Sequence, residues 1–173
     1  FFTTAFKIPQ KKYFGFDKDA VELQKPAYKD SIILISSEGE AEGLLISEMA
    51  MREHRPGHIL LRATKMIGQS DWNGDRYLLL RDTPERVLAW LRSVPVELIV
   101  LDMTKLYTSP HHELMKETLK QYPDAFELLG KYPEAAPGKE LVQLYRVRGV
   151  SSKNHGPIRI DLPFTLGRSI RGD

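Results

Sequence analysis

The chain has 173 residues, 42% of them hydrophobic and 28% charged, with a net charge of +2. That is long enough for one domain with a real core and too short for two ordinary ones, and the Lys and Arg are scattered without a basic stripe, so nucleic acid is not an expected partner. The absence of cysteine excludes disulfides, thiolate catalysis and cysteine-ligated zinc, and no apolar run approaches the ~18 residues of a membrane span.

The chain opens on Phe1-Phe2 without an initiator methionine and is expected to be a processed or excised piece. Residues 1–16 form an aromatic, juxtamembrane-like arm: Phe1, Phe2, Phe6, Phe14 and Phe16 with Tyr13, interleaved with Lys7, Lys11 and Lys12. Rings mixed with Lys suit a membrane–water interface; they equally suit an arm packed on its own domain. Residues 17–149 read as a single α/β domain, and 150–173 as a C-terminal extension.

Residues 17–24 read as a short helix with Asp17 as N-cap, stopped by Pro26. Ile32-Ile33-Leu34-Ile35 is a run of large aliphatics, the pattern of a strand buried on both faces. The loop Glu38-Gly39-Glu40-Ala41-Glu42-Gly43 leads into a helix at 41–53. Residues 58–63 read as a second buried strand, 68–75 as a polar loop with an Asn73-Gly74 turn, and 77–80 as a short strand or an extended lead-in. Thr83-Pro84-Glu85 is a helix start, with a capping hydroxyl, proline at the first position and an acid at the positive dipole end. Val87, Leu88, Trp90 and Leu91 give that helix its buried stripe.

Residues 96–102 read as a third buried strand ending on an acid. Ser109-Pro110 opens a helix with Leu114, Met115, Thr118, Leu119 and Tyr122 on one face. Residues 126–129 and 141–147 read as an antiparallel hairpin on the sheet edge, and 158–162 as one further short strand. This order implies a three-layer, Rossmann-like α/β sandwich with a mainly parallel sheet and an antiparallel edge hairpin.

In open α/β sheets, ligands sit at the carboxyl ends of the strands, and the candidate site residues fall there. Glu38, Glu40 and Glu42 at a helix start repel a phosphate. They suit sugar hydroxyls, a hard cation or basic side chains, or simply favour the helix dipole. Arg62 and Lys65 leave the second strand at the same edge, to pair with Glu38, Glu40 or Asp102 or to hold an anionic ligand. Asp102 has the position of a functional acid, or of an acceptor for the amides of the next turn.

Trp72 between Asp71 and Asn73 makes a sugar platform, the ring stacking on C–H faces while polar neighbours take hydroxyls. A Trp anchoring its loop reads the same way. His111-His112 are adjacent on a helix, about 100° apart, and do not readily share a metal. HExxH, GxSxG, GxGxxG and a phosphate-loop ending are all absent. No cofactor, metal or catalytic residue is therefore assigned.

The run from Asp30 through Ser37, then Gly39-Glu40-Ala41-Glu42-Gly43, Arg55-Pro56-Gly57-His58 through Lys65, and Ser70-Asp71-Trp72-Asn73-Gly74 carry a resemblance. They resemble the soluble C-terminal domain of bacterial dolichyl-phosphate-mannose–protein mannosyltransferase-like membrane glycosyltransferases. Thr83-Pro84-Glu85, Val96 through Asp102, His111-His112-Glu113-Leu114 and Tyr122-Pro123 fit the same pattern, and the likeness covers roughly residues 13–148.

The resemblance implies an extracytoplasmic (periplasmic) domain at the inner membrane, partnered by the membrane part of the same polypeptide. In that family the catalytic acid lies in the membrane part, so no catalytic residue carries over. The expectation is an accessory, non-catalytic domain that handles an acceptor, a glycan or a lipid-linked sugar. The alternative is a free-standing ligand-binding protein or enzyme using the carboxyl edge of the sheet, and a third reading is a scaffold with no ligand.

Overall fold

The computed structural model describes residues 15–53, 57–70, 76–103, 109–133, 140–153, 158–161 and 169–172. The aromatic arm up to Phe14, and the Asp71, Trp72 and Asn73 loop, lie outside the described residues. Three aliphatic runs become parallel strands: β1 (Ile32–Ser36), β2 (Ile59–Arg62) and β5 (Leu98–Asp102). Ile33 aligns with Leu60 on one side and with Leu98 on the other. The hairpin of β6 (Phe126–Pro133) and β7 (Glu140–Val147) completes the sheet, β7 lying antiparallel to β5. The five-strand order is β2-β1-β5-β7-β6, as the α/β reading anticipates.

Successive strand residues point to opposite faces, and that alternation builds two cores. Ile32, Leu34, Ile99 and Leu101 face α4 (Pro84–Ser93) and α5 (Pro110–Gln121), meeting Val87, Leu91, Leu114 and Met115. Ile33, Ile35, Leu98 and Val100 face α1 (Phe16–Leu23) and α2 (Gly39–Arg52), meeting Phe16, Leu23, Leu45 and Met49. All five residues of β1 and of β5 are buried. Each such aliphatic side chain contributes about 1.5–3 kcal/mol. Helices on both faces make three layers.

β2 departs from its reading as a buried strand. It lies at the end of the sheet, so Ile59 is 36% exposed while Leu61 is buried. An aliphatic run alone does not distinguish a central strand from an edge one. The cap of α1 is also corrected: Gly15, not Asp17, precedes the helix. Its φ of 92° is left-handed, which glycine adopts without strain.

α1 carries one anomaly. Asp19 has no solvent exposure, and neither carboxylate oxygen has a hydrogen-bond partner among the described residues. Burial, with a smaller contribution from Glu22, pushes its carboxyl up to about 8.

The Thr83 start holds: its side chain accepts a bond from the Arg86 amide at 3.4 Å. A four-residue helix α3 (Ala63–Met66) follows β2, and β3 (Gly68–Gln69) pairs antiparallel with β4 (Leu78–Leu79). Beyond residue 149, Ser152 is tied to the sheet. Its hydroxyl accepts from the Ile32 amide at 3.0 Å and donates to Glu97, and its own amide donates to Glu97 at 3.1 Å. Ile158 joins the core, and β8 (Ile158–Asp161) pairs antiparallel with β9 (Ser169–Gly172). Among the described residues no helix is long and apolar enough to cross a membrane.

Candidate functional site

β1 has β2 on one side and β5 on the other. The α2 connection to β2 packs on one face of the sheet, and α4, which leads into β5, packs on the other. This is a topological switch point, the place where open α/β sheets take their ligands. Ser36 at the end of β1, Ser37 just after it, Asp102 from β5 and the first turns of α2 and α5 meet there.

Glu42 lies in the first turn of α2 and has no solvent exposure. The chain leaving β2 surrounds its carboxylate. Arg62 Nε donates at 3.0 Å, the Thr64 amide donates at 3.0 Å, and the Thr64 hydroxyl donates as well. Burial raises the Glu42 carboxyl above its usual range, against the lowering effect of Thr64 and Arg62. Arg62 also donates to the Gly39 carbonyl at 2.7 Å.

The partner of Arg62 is thus Glu42, rather than Glu38, Glu40 or Asp102 as the sequence suggested. The spacing of three acids in one turn does not say which one the helix rotates inward. Glu38 is the half-buried N-cap of α2, and Glu40 and Lys65 are exposed. Of the described candidates, Glu42, Arg62 and Asp102 belong to the buried network.

Two histidines complete it. The His111 Nε2 lies 2.7 Å from the Ser37 carbonyl, which only accepts, so Nε2 carries the proton. Its Nδ1 then accepts from the Tyr77 hydroxyl at 2.7 Å, and Tyr77 in turn accepts from the His111 amide at 3.1 Å. Burial is the main cause that pushes the ring down to about 4, so it is neutral at pH 7. Glu42 lies 3.8 Å from the same ring.

His112 Nδ1 lies 3.0 Å from the Ser36 hydroxyl, and the ring also bonds the main chain of Asp102. Burial lowers its pKa too, with Lys116 adding to the effect. Ser37 donates to the Asp102 carboxylate at 2.6 Å. Gly68 makes the close approach possible: a β-carbon there would collide with the Tyr77 hydroxyl and crowd His111.

The histidines, Tyr77, Thr64 and both serines were missed as members of this network. Adjacent histidines just inside a Ser-Pro helix start, following a buried strand, were the available signal. Asp71, Trp72 and Asn73 lie between β3 and β4, whose paired ends Gln69 and Leu78 are described. No group of three or more His, Asp or Glu among the described residues is arranged to hold a metal ion. The chain matches no protein-family model, no curated protein and no solved structure.

Proposed function

We propose that this chain is a non-catalytic accessory domain of a membrane glycosyltransferase, held on the extracytoplasmic side and partnered by the membrane part of the same polypeptide. Its task is to help hold an acceptor glycan or lipid-linked sugar. The family likeness over residues 13–148 supplies the context. One observation supports the non-catalytic reading: the buried rim side chains Glu42, Asp102 and His111 are already bonded to protein. The His111 lone pair takes the Tyr77 proton, the Glu42 oxygens take Arg62 and Thr64, and Asp102 takes Ser37. Proton transfer to a substrate would first break a buried bond, which costs about 1–3 kcal/mol for the group left unpaired.

The test gives the chain a polyprenyl-phosphate-mannose donor in micelles with a Ser/Thr-containing peptide. Sugar transfer is followed by mass spectrometry and binding by tryptophan fluorescence. The expected result is saturable binding without transfer. Trp72→Ala should weaken that binding about tenfold, which is ~1.4 kcal/mol. Transfer by the chain alone would overturn the accessory reading, and undiminished binding by Trp72→Ala would remove the sugar platform.

A further inference from the structure

A cavity of about 330 Å³ opens at the amino ends of β1 and β2, the opposite edge from the rim. Gln24, Lys29 and Asp30 from the α1–β1 connection face Arg52 at the end of α2 and Glu53 and His58 from the α2–β2 connection. Its size lies at the lower end of small-ligand pockets, roughly 300–1,000 Å³.

The floor is closed on itself. The His58 amide donates to Glu53 at 3.0 Å, and its ring Nδ1 contacts the other carboxylate oxygen. His58 Nε2 lies 2.7 Å from the Tyr28 carbonyl, and the Gln24 amide group donates to Glu53 at 3.2 Å. The mouth is different. Lys29 and Asp30 side chains are exposed and have no hydrogen bond or ion pair among the described residues. Arg52 engages one guanidinium nitrogen, on Glu48 at 3.0 Å.

The backbone there is also unusual. Lys29 has φ −53° and ψ 134°, Asp30 has φ 64°, and the Ser31 amide donates to the Tyr28 carbonyl at 3.1 Å. This is a type II turn, whose third position favours glycine. Asp30 occupies it with no side-chain bond among the described residues to offset the strain. Strained residues that persist are concentrated at ligand sites.

We propose that this cavity binds a small zwitterion, an ammonium group a few ångströms from a carboxylate or phosphate. Lys29 and Arg52 take the oxyanion and Asp30 takes the ammonium. A simple anion would meet the Asp30 carboxylate in the same lining as the two cations. A sugar would find no Trp, Tyr or Phe face in the described lining. The same chemistry belongs to free amino acids and amino-phosphates and to the headgroup of phosphatidylethanolamine.

The test is an NMR titration of the chain with O-phosphoethanolamine and with L-alanine, read at the amides of Lys29, Asp30 and His58. Ethylamine and methyl phosphate, each carrying one of the charges, are the controls. Saturable binding of a zwitterion, at least tenfold tighter than either control, is expected. Asp30→Gly should raise Tm, because it relieves the turn, and should weaken zwitterion binding at least tenfold; Lys29→Met should weaken it as well.

Vesicles of phosphatidylethanolamine and of phosphatidylglycerol separate the sources. Preference for the former identifies a headgroup, and response to the free probes alone identifies a soluble ligand. Equal response to zwitterions and single charges, or undiminished binding by Asp30→Gly, would overturn the proposal.

Discussion

The two ends of the sheet use polar residues in opposite ways. At the carboxyl rim, Ser36, Ser37, Glu42, Asp102, His111 and His112 are buried and bonded to one another or to neighbours. At the amino end, Lys29 and Asp30 stand at a cavity mouth with no protein partner among the described residues. Topology points to the first edge and unengaged chemistry to the second. A dense polar cluster is therefore a different thing from a site. The question that separates them is whether the hydrogen-bonding capacity is already satisfied.

Three perturbations test that contrast. The largest effect is expected from Glu42→Ala, which strands Arg62 and the Thr64 groups. Breaking a buried pair from one side costs about 3–5 kcal/mol, measured by urea denaturation. A loss below 1 kcal/mol would mean the rim is not the closed network described.

Asp19→Leu should act in the other direction. Its carboxyl has a reference pKa of 3.8 and about 8 in the fold. Between those values the unfolded chain is ionised and the folded chain still holds the proton, so stability falls as pH rises. Replacing this buried acid should add about 4 kcal/mol at pH 7 and abolish the decline between pH 6.5 and 8. His111 works on the acid side. Its folded pKa lies near 4 against a reference of 6.5, so its contribution is present above 6.5 and is lost as pH falls towards 4. The wild-type stability profile should therefore fall on its alkaline side in an Asp19-dependent way. An unchanged alkaline slope in Asp19→Leu would contradict the assignment.

The smallest effect belongs to Tyr77→Phe. It removes one hydroxyl that both donates to and accepts from His111, leaving a nearly buried ring nitrogen unpaired. A cost of about 1–2 kcal/mol is expected. The zwitterion titration at Lys29 should be unchanged, because the two edges of the sheet are separate. A shared response would break the comparison.

How much of this was legible varied by element. Ile32 to Ile35 and Leu98 to Leu101 announced themselves, because a central parallel strand needs apolar residues on both faces. Thr83-Pro84-Glu85 marked its helix start through local chemistry that neighbours do not alter. β2 was readable as a strand but not as an edge, since strand order is a property of the whole sheet. Among Glu38, Glu40 and Glu42, only the rotation of α2 selects the buried one.

Asp19 was less visible still. In Phe16-Asp17-Lys18-Asp19-Ala20 two acids alternate with other types, and nothing local says that the second lies between Phe16 and Leu23 on the buried face. The cavity at Lys29 and Asp30 joins two connections far apart in sequence, so no motif could announce it.

The antiparallel placement of β7 beside β5 has a consequence during synthesis. β5 emerges from the ribosome before its second neighbour exists, and the chain must first make α5 and β6. Until residue 147 has cleared the exit tunnel, one flank of β5 lies open to any extended peptide nearby. A nascent chain paused before that point is the form of this protein most in need of a chaperone.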